Sequence, residues 1–249
     1  MKPTSWLNEY ITANLPGEGW NHEQALALRM CIRHADDEDC ARYVLRSADT
    51  FLRLEACTPA NAGALFFALE RTGEDKYREA LRRVRTALDA QLAEEFALSA
   101  ACDVLPFCMA YEMKLNRMEK VGATAAMFRR VHERLWDARL HRHGVTLQEE
   151  GWFLLALTDA IAACSDQLYE HWRALVDIYR ETLRGILPAL AEAEAQPLAL
   201  LLHALLTGVE MGLIDPERYL PLARKGIAAL RAKGEDRAAD LLEEGAWAQ

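Results

Sequence analysis

NAGALFFALERTGEDKYREAL, residues 61–81, decides the fold class. Its apolar residues fall three and four apart, the spacing that turns one stripe of a helix towards a core. Thr72-Gly73 ends that helix, because glycine takes the left-handed conformation that closes a C-terminus. Glu74-Asp75 opens the next with acidic residues at the positive end of its dipole, and Tyr77 follows within the first turn. The device recurs in HALLTGVEMGLIDPERYLPLARKG, residues 203–226. There Gly212 is the stop, Asp215 the N-cap and Pro216 the first helical residue. Asp36-Asp37 and Ser165-Asp166 do the same elsewhere.

Working outward from these junctions, the spacing predicts helices at about 22–35, 37–54, 59–72, 74–95, 98–115 and 119–138, then at 149–164, 166–188, 196–213, 215–232 and 235–246. No run alternates with period two. A tyrosine follows each acidic start: Tyr43, Tyr77, Tyr169 and Tyr219. One helical hairpin after another, at intervals of about 35–50 residues, marks a helical repeat. Short connections make successive helices antiparallel neighbours. Two closures satisfy this pattern: an open solenoid with a concave protein-binding face, or a closed toroid whose funnel holds a small ligand.

Composition agrees. The 249 residues are 51% hydrophobic and 27% charged, with 13 Gly and 8 Pro, too few turn residues for an all-β chain. The net charge of −9 is interleaved, which argues against a nucleic-acid partner, since that needs a basic footprint. The longest apolar stretch, Leu198–Leu206, is broken by His203 and too short to span a bilayer, so no membrane role is expected. The six cysteines, at 31, 40, 57, 102, 108 and 164, show no C-x-x-C spacing and read as reduced core residues. Residues 1–20 read as an N-terminal arm with no signal-peptide core. These features predict one cytoplasmic helical domain over residues 1–249.

Among candidate site residues, Asp103 stands out in ACDVLPFCMAYEM, flanked by apolar residues on both sides. Burial there disfavours the charged carboxylate and keeps the proton that a general acid needs. A bland role, capping the helix that runs into Pro106, competes with it. His143, in the His141-Arg142-His143-Gly144 loop, is a candidate ligand contact. The pair lacks a third ligand at metal-site spacing, so no metal is expected. Glu149-Glu150 opens a helix ahead of Trp152, as ordinary dipole partners or as an acid/base pair. Trp20, behind Gly17 and Gly19, suits sugar stacking or core packing. Trp136 and Trp172 read as core or rim aromatics, and His203 as a core histidine with a satisfied hydrogen bond. No Walker loop, nucleophile elbow, dinucleotide fingerprint or HExxH motif occurs.

Six segments in order resemble the unsaturated glucuronyl and rhamnogalacturonyl hydrolases, glycoside hydrolase families 88 and 105. They are WNHEQALALR (20–29), residues 61–81, DVLPFCMAYE (103–112), LHRHG (140–144), EGWFLLALTDAI (150–161) and residues 203–226. The resemblance implies an (α/α)6 barrel, a toroid of six antiparallel hairpins. It also implies an activity with no cofactor: an Asp protonates C4 of a Δ4,5-unsaturated uronyl group, water adds at C5, and the hemiketal collapses to release the sugar. Asp103 falls on that catalytic Asp, His143 on the family's loop His, and Trp152 on the Trp of its Gly-Trp pair, beside Glu150.

The departures are equally specific. The family's second Asp, ahead of Asn61-Ala62-Gly63, has no counterpart, and Glu55 is the nearest acid. The loop before Asp103 is reduced to AEEFALSAA, and Gln148-Glu149-Glu150 stands where an Arg would meet a uronate. Ten long helices and a short eleventh imply an incomplete toroid, whose open apolar edge favours homo-oligomers. Two functions follow: a hydrolase of unsaturated uronyl oligosaccharides, or a catalytically silent toroid that binds a sugar or a protein.

Overall fold

The computed structural model describes residues 7, 10–12, 14, 22–89 and 97–244. Within them the regular structure is helical apart from one two-residue ladder. Ten helices of 11–18 residues run in order: α1 (His22–Arg33), α2 (Glu38–Arg53), α3 (Ala62–Thr72), α4 (Asp75–Asp89), α5 (Leu98–Lys114), α6 (Val121–Leu135), α7 (Leu147–Ala163), α8 (Tyr169–Ile186), α9 (Ala195–Glu210) and α10 (Pro216–Ala232). A nine-residue α11 (Asp236–Glu244) follows. Between α6 and α7, β1 (Trp136–Asp137) pairs antiparallel with β2 (Arg142–His143).

The junction chemistry works as its sequence predicts. Asp37 accepts hydrogen bonds from the Asp39 and Cys40 amides at 3.0 and 3.1 Å and starts α2. Asp215 does the same for Glu217 at 3.0 Å ahead of Pro216. Gly73 ends α3 at φ 71, and Gly212 stands beyond α9 at φ 67. Three of the four repeat tyrosines, Tyr43, Tyr77 and Tyr219, turn into the core. Tyr169 does not. A 3-10 turn, Asp166–Leu168, makes it the first residue of α8 and turns it outward, where it stacks on Trp172 at 6.3 Å.

The chain divides into two compact units, Met1–Glu95 and Phe96–Gln249. In the first, α3 packs on α1, α2 and α4, around Cys31, Val44, Leu65 and Leu81. In the second, α5, α7 and α9 pack in series, with α6 against α5 and α8 against both α6 and α7. Residues 153–157 of α7 and 200–208 of α9 are buried without interruption, so these helices are surrounded rather than one-sided. Gly151 lets them approach, since a Cβ there would stand 3.0 Å from that of Leu200. Tyr179 of α8 donates its hydroxyl to the Ala204 carbonyl of α9 at 2.9 Å. Gly208 leaves the room for it, because a Cβ there would meet that hydroxyl at 2.0 Å.

All six cysteines are free thiols. Among the described residues, no helix is long and apolar enough to cross a membrane.

Candidate functional site

The site is assembled in the second unit, where the loop between α6 and α7 is folded into the helices. Gly144 donates its amide to the Leu135 carbonyl at 3.0 Å, closing the loop at its base. His141, at its turn, has a left-handed φ of 52. Its carbonyl lies so close to α8 that a Cβ on Gly185 would stand 1.7 Å from it. Glycine at 185 is therefore what lets α8 press on the loop. Thr146 then caps α7: its hydroxyl accepts from the Glu149 amide at 3.2 Å, and the Glu149 carboxylate accepts from the Thr146 amide at 3.0 Å.

The two adjacent glutamates have different work. Glu149 completes the cap. Glu150 is 0% exposed, and its Oε1 accepts the backbone N–H of His143 at 2.8 Å. His143 is also 0% exposed, with its Nδ1 at 3.6 Å from the same Oε1. Its Nε2 faces Nδ1 of His132, on α6, at 3.0 Å. His132 in turn sets its Nε2 at 3.2 Å from Glu181 Oε2, on α8. Trp136 lies 5.0 Å from the His132 ring and 5.5 Å, edge-on, from that of His143; Phe153 closes the far side at 5.2 Å. Burial, and after it the charge of His143, holds His132 below the ordinary imidazole range, with Glu181 pulling the other way.

Proton positions follow from this geometry. Glu181, as a carboxylate, only accepts, so His132 carries its proton on Nε2. Neutral His132 then offers Nδ1 as acceptor, and His143 donates from Nε2. His143 Nδ1 is left bare, buried and without a hydrogen-bond partner, as is Glu150 Oε2.

The other expected residues stand as follows. Asp103 is the sixth residue of α5, whose N-cap is Ala97, so it is not a helix cap. Its apolar neighbours are buried, yet Asp103 itself is exposed. The apolar residues around it in sequence turn inward on the other faces of the helix, so burial supplies no reason for it to keep a proton. That corrects the desolvation argument. Trp152 is half-buried on α7, the helix packed directly against α5. His143 and Glu150 are inside, holding the loop from behind. Glu55 is exposed in the first unit, at a left-handed φ of 52. Trp20 lies outside the described residues. His203 is buried in α9, as expected of a core histidine. No three His, Cys, Asp or Glu side chains form a metal cage among the described residues.

A solved glycoside hydrolase from family 105 of C. acetobutylicum ATCC 824 superposes with a TM-score of 0.74, over 92% of this chain and 83% of that one. The two share this all-α fold. Their sequences are 18% identical, so the likeness is one of architecture. No protein-family profile matches the chain, and no curated protein matches it in sequence.

Proposed function

We propose that the chain is a glycoside hydrolase acting on unsaturated uronyl oligosaccharides, with Asp103 as general acid. The observation that carries this reading is the fold shared with a family 105 glycoside hydrolase, together with the solvent-facing carboxylate on the otherwise inward-turned 101–109 stretch of α5. In the reaction Asp103 gives its proton to C4 of the C4=C5 bond, and water adds at C5. The resulting hemiketal opens and releases the sugar, and the proton from that water returns to Asp103. An exposed Asp needs a reason to hold a proton, and the substrate supplies one: an arriving uronate disfavours a second negative charge beside it. Trp152 offers the half-buried ring for stacking, while His143 and Glu150 position the loop and the start of α7 beneath it.

The exposure of Asp103 also favours a second reading, a silent toroid that binds a neutral sugar or a protein. Incubation with unsaturated galacturonyl and glucuronyl disaccharides, following loss of the ultraviolet absorbance of the double bond, separates the two. Turnover abolished by Asp103→Asn, in a protein monomeric by light scattering, establishes the hydrolase. No decay with either sugar at high protein concentration leaves the binding module.

A further inference from the structure

Glu181, His132, His143 and Glu150 line up as three successive contacts, at 3.2, 3.0 and 3.6 Å, from a 54% exposed carboxylate to a fully buried one. Each contact needs one proton between its two atoms. Two neutral imidazoles supply two protons for three contacts, and the unfilled one is that between His143 and Glu150. One added proton, shared by the two rings, fills all three. A second puts hydrogen on both facing nitrogens, 3.0 Å apart, and the His132–His143 bond is lost.

We propose that this chain of side chains is a proton-operated latch on the loop from Trp136 to Thr146: it holds with neutral or singly protonated rings and opens when both are protonated. The latch goes beyond the hydrolase reading and does not depend on it. Three features make the opening local. Beside the Gly144–Leu135 bond at its base, the loop is tied through His143, by its ring to α6 and by its amide to Glu150 of α7. Glu181, the outer end of the chain, is in contact with solvent, which gives protons a way in. The titratable groups facing the two rings are Glu181 from α8, Glu150 from α7 and Glu133 on α6 itself, with Trp136 and Phe153 as apolar walls. Burial first, and the facing His143 after it, lower the proton affinity of His132, so both work against joint ionisation of the two rings.

Trp136 reports directly, since a protonated imidazole against an indole quenches its fluorescence. The fluorescence of the full chain minus that of Trp136→Phe is expected to hold steady above the ordinary imidazole value of about 6.5 and to fall below it in two steps, one for each added proton. Amide exchange at Gly144, which ties the loop to Leu135 of α6, should rise with the second step, after correction for its intrinsic pH dependence, while the turn at 115–120 stays protected. Glu181→Gln keeps an acceptor for His132 but removes the charge, so the second step should move to lower pH by roughly 0.5–1, and Glu133→Gln should move it less. Histidine nitrogen NMR of the unaltered protein at neutral pH should show Nε2–H on both rings. The latch is overturned by Nδ1–H on either ring, by an upward or absent shift in Glu181→Gln, or by exchange rising at 115–120 together with the loop.

Discussion

Two fully buried glutamates in the second unit close two neighbouring turns by different chemistry. Glu112, at the end of α5, accepts from the Asn116 side-chain amide at 2.7 Å and the Lys120 backbone amide at 3.0 Å. Together these wrap a turn in which Arg117 and Met118 both take left-handed backbone, at φ 53 and 67. Glu150 accepts the amide of His143 and then meets the imidazole of the same residue. An amide donates at any pH the protein survives, whereas an imidazole changes its donor count near neutrality. The first arrangement is therefore a fixed staple, and the second is one whose strength depends on protons.

The largest effects should fail to tell the two apart. Glu112→Ala strands the side-chain amide of Asn116 and the backbone amide of Lys120, Glu150→Ala strands the buried amide of His143, and each should cost about 3 kcal/mol in urea unfolding near pH 7.5. A loss below about 1 kcal/mol for either would remove it from the comparison. Gly185→Ala comes next. Its methyl would collide with the His141 carbonyl, which cannot yield without moving the loop, so about 1–3 kcal/mol should be lost, with exchange rising at His143 but not at 115–120.

pH then separates them. His132 binds its proton less readily in the folded chain than when unfolded, so the unfolded state takes up more protons as pH falls through the ordinary imidazole range. The part of stability that rests on a neutral His132 is complete above about pH 6.5 and is lost progressively below it. The melting temperature should fall across that window. The fall should persist in Glu112→Ala and flatten in His132→Gln, and equal slopes in the two variants would erase the distinction. Glu181→Gln is the mildest test: a hydrogen bond from neutral His132 to a carboxylate 54% exposed should contribute about 0.5–1 kcal/mol at neutral pH.

How much of this could be read from residues alone depends on distance along the chain. Caps are local, so Asp37, Gly73, Ser165 and Asp215 are legible from their immediate neighbours, and the apolar spacing between such junctions gives the eleven helices found among the described residues. Thr146-Leu147-Gln148-Glu149 is a capping-box pattern, and the spacing alone tells Glu149 apart from Glu150. The partnership of His132 with His143 is not legible in this way, because it needs a loop folded back across α6. Glu181 lies 49 residues from His132 and is brought there only by the packing of α6 on α8. Asp103 teaches the converse. A run of apolar residues on a helix fixes which residue types surround a position in sequence, and the stripe at i, i+3 and i+7 decides whether that position is buried. Asp103, Pro106 and Ala110 lie on the less buried stripe.

The Tyr179–Gly208 contact carries its own consequence for how this chain can diverge. A side chain at 208 is admitted only where the ring at 179 is gone, since its Cζ would stand 2.7 Å from a Cβ there, and a tyrosine at 179 is kept only where 208 stays bare. Mutational drift must therefore clear position 179 first, through an intermediate such as Tyr179→Leu that gives up both the ring and the bond to Ala204. Among distant descendants the two columns should covary, marking kinship where overall identity has faded.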